Sequence, residues 1–357
     1  MQKKTILHFI FNLERGGAET MLVGAIRELK EYKNIVVTIR NENHYDNELE
    51  CDKYISLNLK STFAFPLAIN KLKKIIEVNN VDIVHSHLFW PTVIARIGVP
   101  KKIPLITTIH QFIATTLDYK KWYIRSIDRF TYKLRKSVIV TVAKGAQDDY
   151  FSFLKLKPHK TYVLYTFVDI ERYSQKKNAN ETGTFKLISV GALSAQKNQS
   201  FLVKAMSLIK DSDIILDIYG SGPLESQLQQ LINKTGAKIV LRGMVKNIEE
   251  VLPLYNAFVM ASAFEGFSLA VLEAMAIKLP LLLSDIESFK EQCGDTAVLF
   301  KLNNTDDFIK KLNYLIANPE MCNKISENAY QKVLQNFTLK HHVSGLRKIY
   351  KDAILKE

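Results

Sequence analysis

The sequence predicts an α/β protein built from two Rossmann-like domains that face each other across a cleft. Three observations carry this. Strand and helix patterns alternate from one end of the chain to the other, the order that builds parallel sheets. The alternation restarts after Asn178-Ala179-Asn180-Glu181-Thr182-Gly183-Thr184, a polar, glycine-containing segment with no apolar period that reads as a linker. The chain has 357 residues and 47% hydrophobic content, more than one typical domain and enough for two cores.

In the first half, short apolar runs predict strands over 5–11, 35–40, 53–57, 83–87, 105–110 and 137–142. The run at 5–11 is too short for a signal peptide. It lacks a small-residue cleavage site and leads into Gly16-Gly17, so it reads as the first strand. Helical periodicity covers 19–32, 68–79, 90–97, 122–136 and 143–151. The second half predicts strands over 186–190, 214–219, 238–242, 257–261 and 281–284. A closing helix over 342–355 places Val343, Leu346, Ile349, Tyr350 and Ile354 on one side. There is no internal repeat and no low-complexity tract. No apolar run approaches the roughly 20 residues that span a bilayer. Cys51, Cys293 and Cys322 are far apart and form no C-x-x-C, the usage expected of a reduced, intracellular protein.

Charge is uneven. The net charge is +13, and residues 1–168 carry 26 Lys and Arg against 15 Asp and Glu, while the remainder carries 23 against 21. An excess in one half suits phosphate-bearing partners or is ordinary solubility charge. Part of it lies in the helix over 122–136. Tyr123, Ile127, Phe130 and Leu134 share one face there, ringed by Lys120, Lys121, Arg125, Arg129, Lys133 and Arg135. Such a helix either lies on an anionic membrane or packs between elements with a solvated basic rim.

The residues richest in chemistry are Glu265 and Glu273. They bracket Gly266-Phe267-Ser268-Leu269-Ala270-Val271-Leu272, after a buried-strand pattern at 257–261. Strand, glycine turn and helix present unpaired backbone N–H groups to an anion. Carboxylates on both sides suit an anion flanked by hydroxyls, because each can accept two hydroxyl protons. A nucleotide sugar has that form.

This run, with Leu279-Pro280 and Ser284-Asp285 beyond it, resembles the E-x7-E signature of glycosyltransferase family 4, whose members are retaining enzymes of GT-B fold. Three further segments resemble the family in order and spacing. They are Ser189-Val190-Gly191-Ala192-Leu193-Ser194-Ala195-Gln196-Lys197, Tyr219-Gly220-Ser221-Gly222-Pro223, and Arg15-Gly16-Gly17-Ala18-Glu19. The resemblance spans nearly the whole chain. It implies an acceptor-binding domain over 1–168 and a donor-binding domain over 169–341, with the helix over 342–357 returning to the first.

It further implies that Gly191, Lys197, Gly220, Arg242, Glu265, Gly266, Phe267, Ser268, Leu269 and Glu273 bind the donor. Lys197 would neutralise the diphosphate, Glu273 would hold ribose hydroxyls and Glu265 the transferred sugar. His110 would orient the sugar and acceptor, and Gly16 and Gly17 would form the acceptor-side loop. The partners implied are a UDP- or GDP-sugar and a glycan or lipid-linked acceptor, in surface-polysaccharide or lipid-linked glycan synthesis. The enzyme would be cytoplasmic or peripheral on the inner membrane face. No cofactor and no metal are implied.

Two residues depart from the family pattern. Ala192 stands where an Arg is usual, a loss that Arg242 or another residue not evident from the sequence would offset. Thr166-Phe167 replaces Asn-Gly before Val168-Asp169 and would alter the lining of the cleft. Other readings remain open: a catalytically silent relative, a hydrolase or epimerase on the same fold, or a basic phosphate or nucleic-acid binder. The last leaves Glu265 and Glu273 without a role. Asp211-Ser212-Asp213 matches a D-x-D metal motif but precedes a strand, at the edge of the sheet away from the site. Gly220-Ser221-Gly222-Pro223-Leu224-Glu225 lacks the third glycine of a dinucleotide fingerprint. His85 and His87 share one side of a strand end, yet no third metal ligand lies near them in sequence.

Overall fold

The computed structural model of the chain describes residues 3–59, 64–173, 183–210 and 213–355, with Leu117 described by its backbone only. The expected linker at 178–184 therefore falls mostly outside the described residues, as do Asp211 and Ser212. The chain divides into two compact units. One is Met1–Phe167 with Leu339–Glu357, the other Val168–Thr338.

The first unit runs β1 (Thr5–Ile10), α1 (Gly17–Glu28), β2 (Lys33–Thr38), β3 (Lys53–Ser56), α2 (Phe65–Val78), β4 (Ile83–His87), α3 (Phe89–Gly98), β5 (Leu105–Ile109), α4 (Leu117–Lys120), α5 (Trp122–Leu134), β6 (Val138–Thr141), α6 (Lys144–Phe153) and β7 (Thr161–Val163). The second runs β8 (Phe185–Val190), α7 (Gln199–Ser207), β9 (Ile214–Tyr219), α8 (Glu225–Thr235), β10 (Ile239–Gly243), α9 (Ile248–Val251), β11 (Ala257–Met260), α10 (Leu269–Ala276), β12 (Leu281–Ser284), α11 (Glu287–Cys293), β13 (Val298–Phe300), α12 (Thr305–Ala317) and α13 (Pro319–Asn336). The last helix, α14 (Leu339–Ile354), belongs to the first unit.

Both sheets are parallel throughout, in the orders β3-β2-β1-β4-β5-β6-β7 and β10-β9-β8-β11-β12-β13. Every residue of β1, β4, β11 and β12 is buried, as a sheet covered on both faces requires. Each order reverses once, between β1 and β4 and between β8 and β11. Doubly wound sheets bind ligands beyond the carboxyl ends of the strands flanking such a reversal. The sequence reading missed β7 and β13. Each is three residues long, too short to show a period.

Helix α14 buries His342, Val343, Leu346, Ile349, Tyr350 and Ala353 on one face. Gly345 permits the close approach, since a Cβ there would lie 2.4 Å from Leu164 Cδ1. His342 Nδ1 donates to the Tyr165 carbonyl at 2.8 Å. The Phe167 ring packs at a tilt against His342 and fills the space over Gly24. Phe167 thus serves the core of the first unit, correcting its expected place in a cleft lining.

Helix α5 buries Ile124, Asp128, Thr131 and Tyr132. Asp128 accepts from Arg96 Nη1 at 2.5 Å, from the Tyr150 hydroxyl at 2.9 Å and from the Tyr119 hydroxyl. This buried, fully bonded carboxylate fixes the rotation of the helix. The aromatic face therefore points outward, with Trp122 71% and Phe130 67% exposed and Tyr123 and Leu134 exposed beside them.

Candidate active site

In the second unit, the loop after β8 and the loop after β11 flank the reversal of strand order. Lys197 comes from the first and Glu265 from the second. Their side chains form an ion pair, Lys197 Nζ to Glu265 Oε1 at 2.7 Å, with both largely buried. The Ser262 hydroxyl donates to the same oxygen at 2.6 Å. Gln196 Nε2 donates to the Phe264 carbonyl at 3.1 Å and lies 3.5 Å from Glu265 Oε2. The two charges thus neutralise each other where they stand. Sequence reasoning gave them separate tasks and did not foresee the bond.

The loops are shaped by glycine. Gly220 has φ +139°, and a Cβ there would lie 2.0 Å from the Gly191 carbonyl oxygen. At Gly222 a Cβ would lie 2.5 Å from the Leu193 carbonyl oxygen. The backbones of the β8 and β9 loops therefore touch, tied by Gly191 N to Tyr219 O and by Leu193 N to Ser221 O, both at 2.9 Å. This contact sets the path of the Gly191–Lys197 loop. Ala192 contributes only its carbonyl, which accepts from Gln199 Nε2 at 2.9 Å.

Helix α10 opens at Ser268. Gly266, Phe267 and Ser268 are buried, while Leu269 and Ala270 are half-buried. The Ser268 N–H already donates to Gln292 Oε1 at 3.0 Å, and Gln292 Nε2 returns a bond to the Ser268 carbonyl. The Phe267 ring packs against Phe337. The expectation that Gly266–Leu269 as a whole offers donors is corrected accordingly. The Ser268 N–H is already engaged, whereas the first-turn N–H groups of Leu269 and Ala270 have no intrahelical acceptor.

Glu273 lies one helical turn on, and the Tyr173 hydroxyl donates to its Oε1 at 2.8 Å. Burial pushes its carboxyl up to about 7, against the stabilising Tyr173 bond and the nearby Arg172 guanidinium. Arg172 itself pairs with Glu249 at 2.8 Å. Sequence reading missed Tyr173 and Arg172, which end a single 3-10 turn, Ile170–Arg172, with no periodic signal. Arg242, expected to replace the missing Arg, stands on the edge strand β10. Its Nε lies 3.0 Å from Asp217 Oδ2, which also accepts from the Tyr255 hydroxyl at 2.6 Å. Its charge is therefore already matched.

In the first unit, Gly16 caps α1 and Gly17 begins it. A side chain at Gly16 would collide with the Glu19 carboxylate, at 2.4 Å from its Oε2. Burial raises the Glu19 carboxyl to about 7. His110 follows β5 and is half-buried, with Nε2 3.3 Å from His87 Nδ1. Burial and His342 pull it down to about 3, so its imidazole is neutral. His85 and His87 are buried, and the third histidine that the sequence did not place beside them is His8, on β1.

Residues 15–172 match the family Glycosyltransferase Family 4, and residues 169–332 match Glycosyl transferases group 1. A Campylobacter jejuni protein named N-acetylgalactosamine-N,N'-diacetylbacillosaminyl-diphospho-undecaprenol 4-alpha-N-acetylgalactosaminyltransferase is 26% identical, over 90% of this chain and 92% of its own. An Escherichia coli UDP-Gal:alpha-D-GlcNAc-diphosphoundecaprenol alpha-1,3-galactosyltransferase is 25% identical, over 80% of this chain and 79% of its own. Among solved structures, Anabaena Alr3699/HepE in complex with UDP and glucose superposes with a TM-score of 0.85 at 15% identity, covering 98% of this chain and 100% of its own. That last likeness is one of fold.

Proposed function

From the premise that the chain belongs to glycosyltransferase family 4 and is a glycosyltransferase, we propose that it moves a hexosyl-type group from a UDP- or GDP-sugar to a hydroxyl of a lipid-linked glycan, with retention at the anomeric carbon. The observation that carries this is the cluster around α10. It sets two carboxylates, Glu265 and Glu273, and one lysine, Lys197, about a helix N-terminus. A diphosphate takes the Leu269 and Ala270 N–H groups and the Lys197 ammonium. Hydroxyls on either side of it take the carboxylates. On binding, Lys197 exchanges part of its bond to Glu265 for the phosphate, and the freed carboxylate oxygen accepts sugar hydroxyls.

In transfer, the bond from the anomeric carbon to phosphate breaks as the acceptor oxygen bonds the same face. The acceptor proton passes to the departing phosphate oxygen. Lys197 and the helix N-terminus stabilise the charge that develops there. Neutral His110 hydrogen-bonds the sugar or acceptor hydroxyl. The positive field is supplied by protein groups, so the diphosphate needs no metal ion. Gly17, exposed and with nothing within 4 Å of where a Cβ would stand, leaves the start of α1 open to the acceptor, while the Glu19 carboxylate lies against Gly16.

The relatives from Campylobacter jejuni and Escherichia coli are named for diphospho-undecaprenol substrates. No described helix is long and apolar enough to cross a membrane. The outward face of α5 offers another way to reach a lipid. Trp122, Tyr123, Phe130 and Leu134 are exposed among Lys120, Lys121, Arg125, Arg129 and Lys133. Such a face seats in the headgroup layer of an anionic leaflet.

The test is a thermal-shift screen of UDP, GDP, ADP and their sugars, followed by transfer to a polyprenyl-diphosphate sugar with and without Mg²⁺. One nucleotide class should raise the melting temperature, and its sugar should be transferred with retention at a rate Mg²⁺ leaves unchanged. Free sugar as the main product would point to hydrolysis. Strict dependence on Mg²⁺ would overturn the electrostatic assignment.

A further inference from the structure

We propose that His8 Nδ1, His87 Nε2 and one ring nitrogen of His85 bind a single divalent transition-metal ion of the Zn²⁺ class inside the first unit. The site follows from strand register. His8 on β1 stands opposite His85 on β4, and His87 lies two residues on, so all three project from one face of the sheet. The register positions sit where strand order reverses. One nitrogen from each ring lies within 4.8 Å of the others, and all three residues are buried. Small side-chain adjustments bring such a trio to the spacing of metal ligands at about 2.0–2.1 Å from a common centre.

The second observation is independent of that spacing. Two of these rings have buried nitrogens without a hydrogen-bond partner, His8 Nδ1 and His87 Nε2. Their tautomers follow from their neighbours. Asn34 Nδ2 donates to the Leu29 carbonyl at 2.9 Å, which turns Asn34 Oδ1 toward His8 Nε2, 3.2 Å away. His8 therefore carries its proton on Nε2, and Nδ1 is a bare lone pair. His87 Nδ1 lies 3.3 Å from His110 Nε2. With His87 donating, its Nε2 is a second bare lone pair. His85 meets the Tyr350 hydroxyl at Nδ1 (2.8 Å) and the Thr108 hydroxyl at Nε2 (2.7 Å). A neutral ring has one lone pair here too, and the hydroxyl now donating to it is displaced by metal.

Buried polar atoms are rarely left unsatisfied. Metal-bound imidazoles hold their second nitrogen in a fixed hydrogen bond, and Asn34 and His110 supply that bond. Beside the rings is a small cavity of about 20 Å³, lined also by Thr108, His110, His342 and Tyr350. That volume holds about one water, the fourth ligand of a three-histidine site. Three imidazoles without a carboxylate select Zn²⁺, Co²⁺ or Ni²⁺ over Mg²⁺ or Ca²⁺. The three histidines all belong to the first unit, whereas Lys197 and Glu265 belong to the second.

The experiment uses untagged full-length protein expressed in minimal medium supplemented with cobalt. The wild type should hold one Co²⁺ per chain after gel filtration and show the visible absorption of a four-coordinate ion. His8→Ala and His87→Gln should each lose metal, with affinity falling more than about 100-fold. His87→Cys guards against a trivial folding loss. It should keep the ion and gain a near-ultraviolet thiolate-to-cobalt band, which a misfolded chain would not show. A metal-free wild type from both cobalt- and zinc-supplemented cells would overturn the proposal. So would a full Co²⁺ complement in His8→Ala and His87→Gln.

Discussion

Replacing Glu273 with Gln should move stability and nucleotide affinity in opposite directions. Burial raises this carboxyl from 4.5 to about 7 in the folded protein. A raised acid stabilises the fold fully below its unfolded value, and that contribution is lost as pH climbs through the folded value. At 1.36 kcal/mol per pH unit, the wild type gives up about 3 kcal/mol between pH 4.5 and 7. Gln keeps the shape and still accepts the Tyr173 hydroxyl, but it never ionises. At pH 8 the variant should melt higher by roughly 6–12 °C if the second unit unfolds cooperatively, since 1 kcal/mol shifts such a domain by about 2–4 °C. At pH 4.5 the two melting curves should coincide. If Glu273 binds ribose hydroxyls, calorimetry with the free nucleotide should show a loss of about 1.5–3 kcal/mol. Wild-type affinity should also fall below pH 7 as the carboxyl protonates, a dependence the variant lacks. Equal melting temperatures at pH 8 would refute the raised carboxyl. Unchanged affinity would refute the ribose contact.

Lys197→Ala should abolish transfer and cost about 3–5 kcal/mol of stability, because it strands the buried Glu265 carboxylate. The double variant Lys197→Met/Glu265→Gln should recover stability by thermal melt but not activity. Gly220→Ala forces a Cβ against the Gly191 carbonyl at positive φ. It should weaken nucleotide binding by calorimetry, with wild-type affinity counting against the loop contact. Replacing Lys120, Lys121, Arg125 and Arg129 with Gln should remove about 4 kcal/mol of attraction to anionic vesicles and leave nucleotide affinity intact. The Trp122 fluorescence change on adding those vesicles, weakened by salt, reads this directly. Its absence from the wild type at low salt would return α5 to a solvated surface helix.

The two carboxylates around α10 were legible because they are close along the chain. Glu265, the glycine turn and Glu273 fall in one short run, and hydrophobic alternation places that run after a strand. What escaped depends on tertiary register. His8 is a polar residue flanked by apolar ones within β1, and only the pairing of β1 with β4 brings it to His85. Tyr173 reaches Glu273 from a 3-10 turn with no sequence signature. Helix α5 illustrates a harder failure. Periodicity identified its apolar face correctly but could not say which way it points. A polar residue, Asp128, is the one buried, because Arg96 and Tyr150 from other helices satisfy it. Arg242 was recognised as a cation, but its pairing with Asp217 is invisible along the chain.

The first unit is sewn from both ends of the polypeptide, and this imposes an order on its assembly. Its sheet emerges first, yet α14 is synthesised only after the whole of Val168–Thr338. At typical elongation rates of about 5–20 residues per second, that interval is roughly 10–30 s. Throughout it, the wall that His342, Leu346 and Tyr350 give to the histidine cavity does not yet exist. The imidazoles are then open to solvent and to small ions, and later they are sealed. A ribosome-bound chain thus offers a timed opening that the finished molecule closes, and a variant with α14 loosened, such as Gly345→Val, should keep that opening throughout its life.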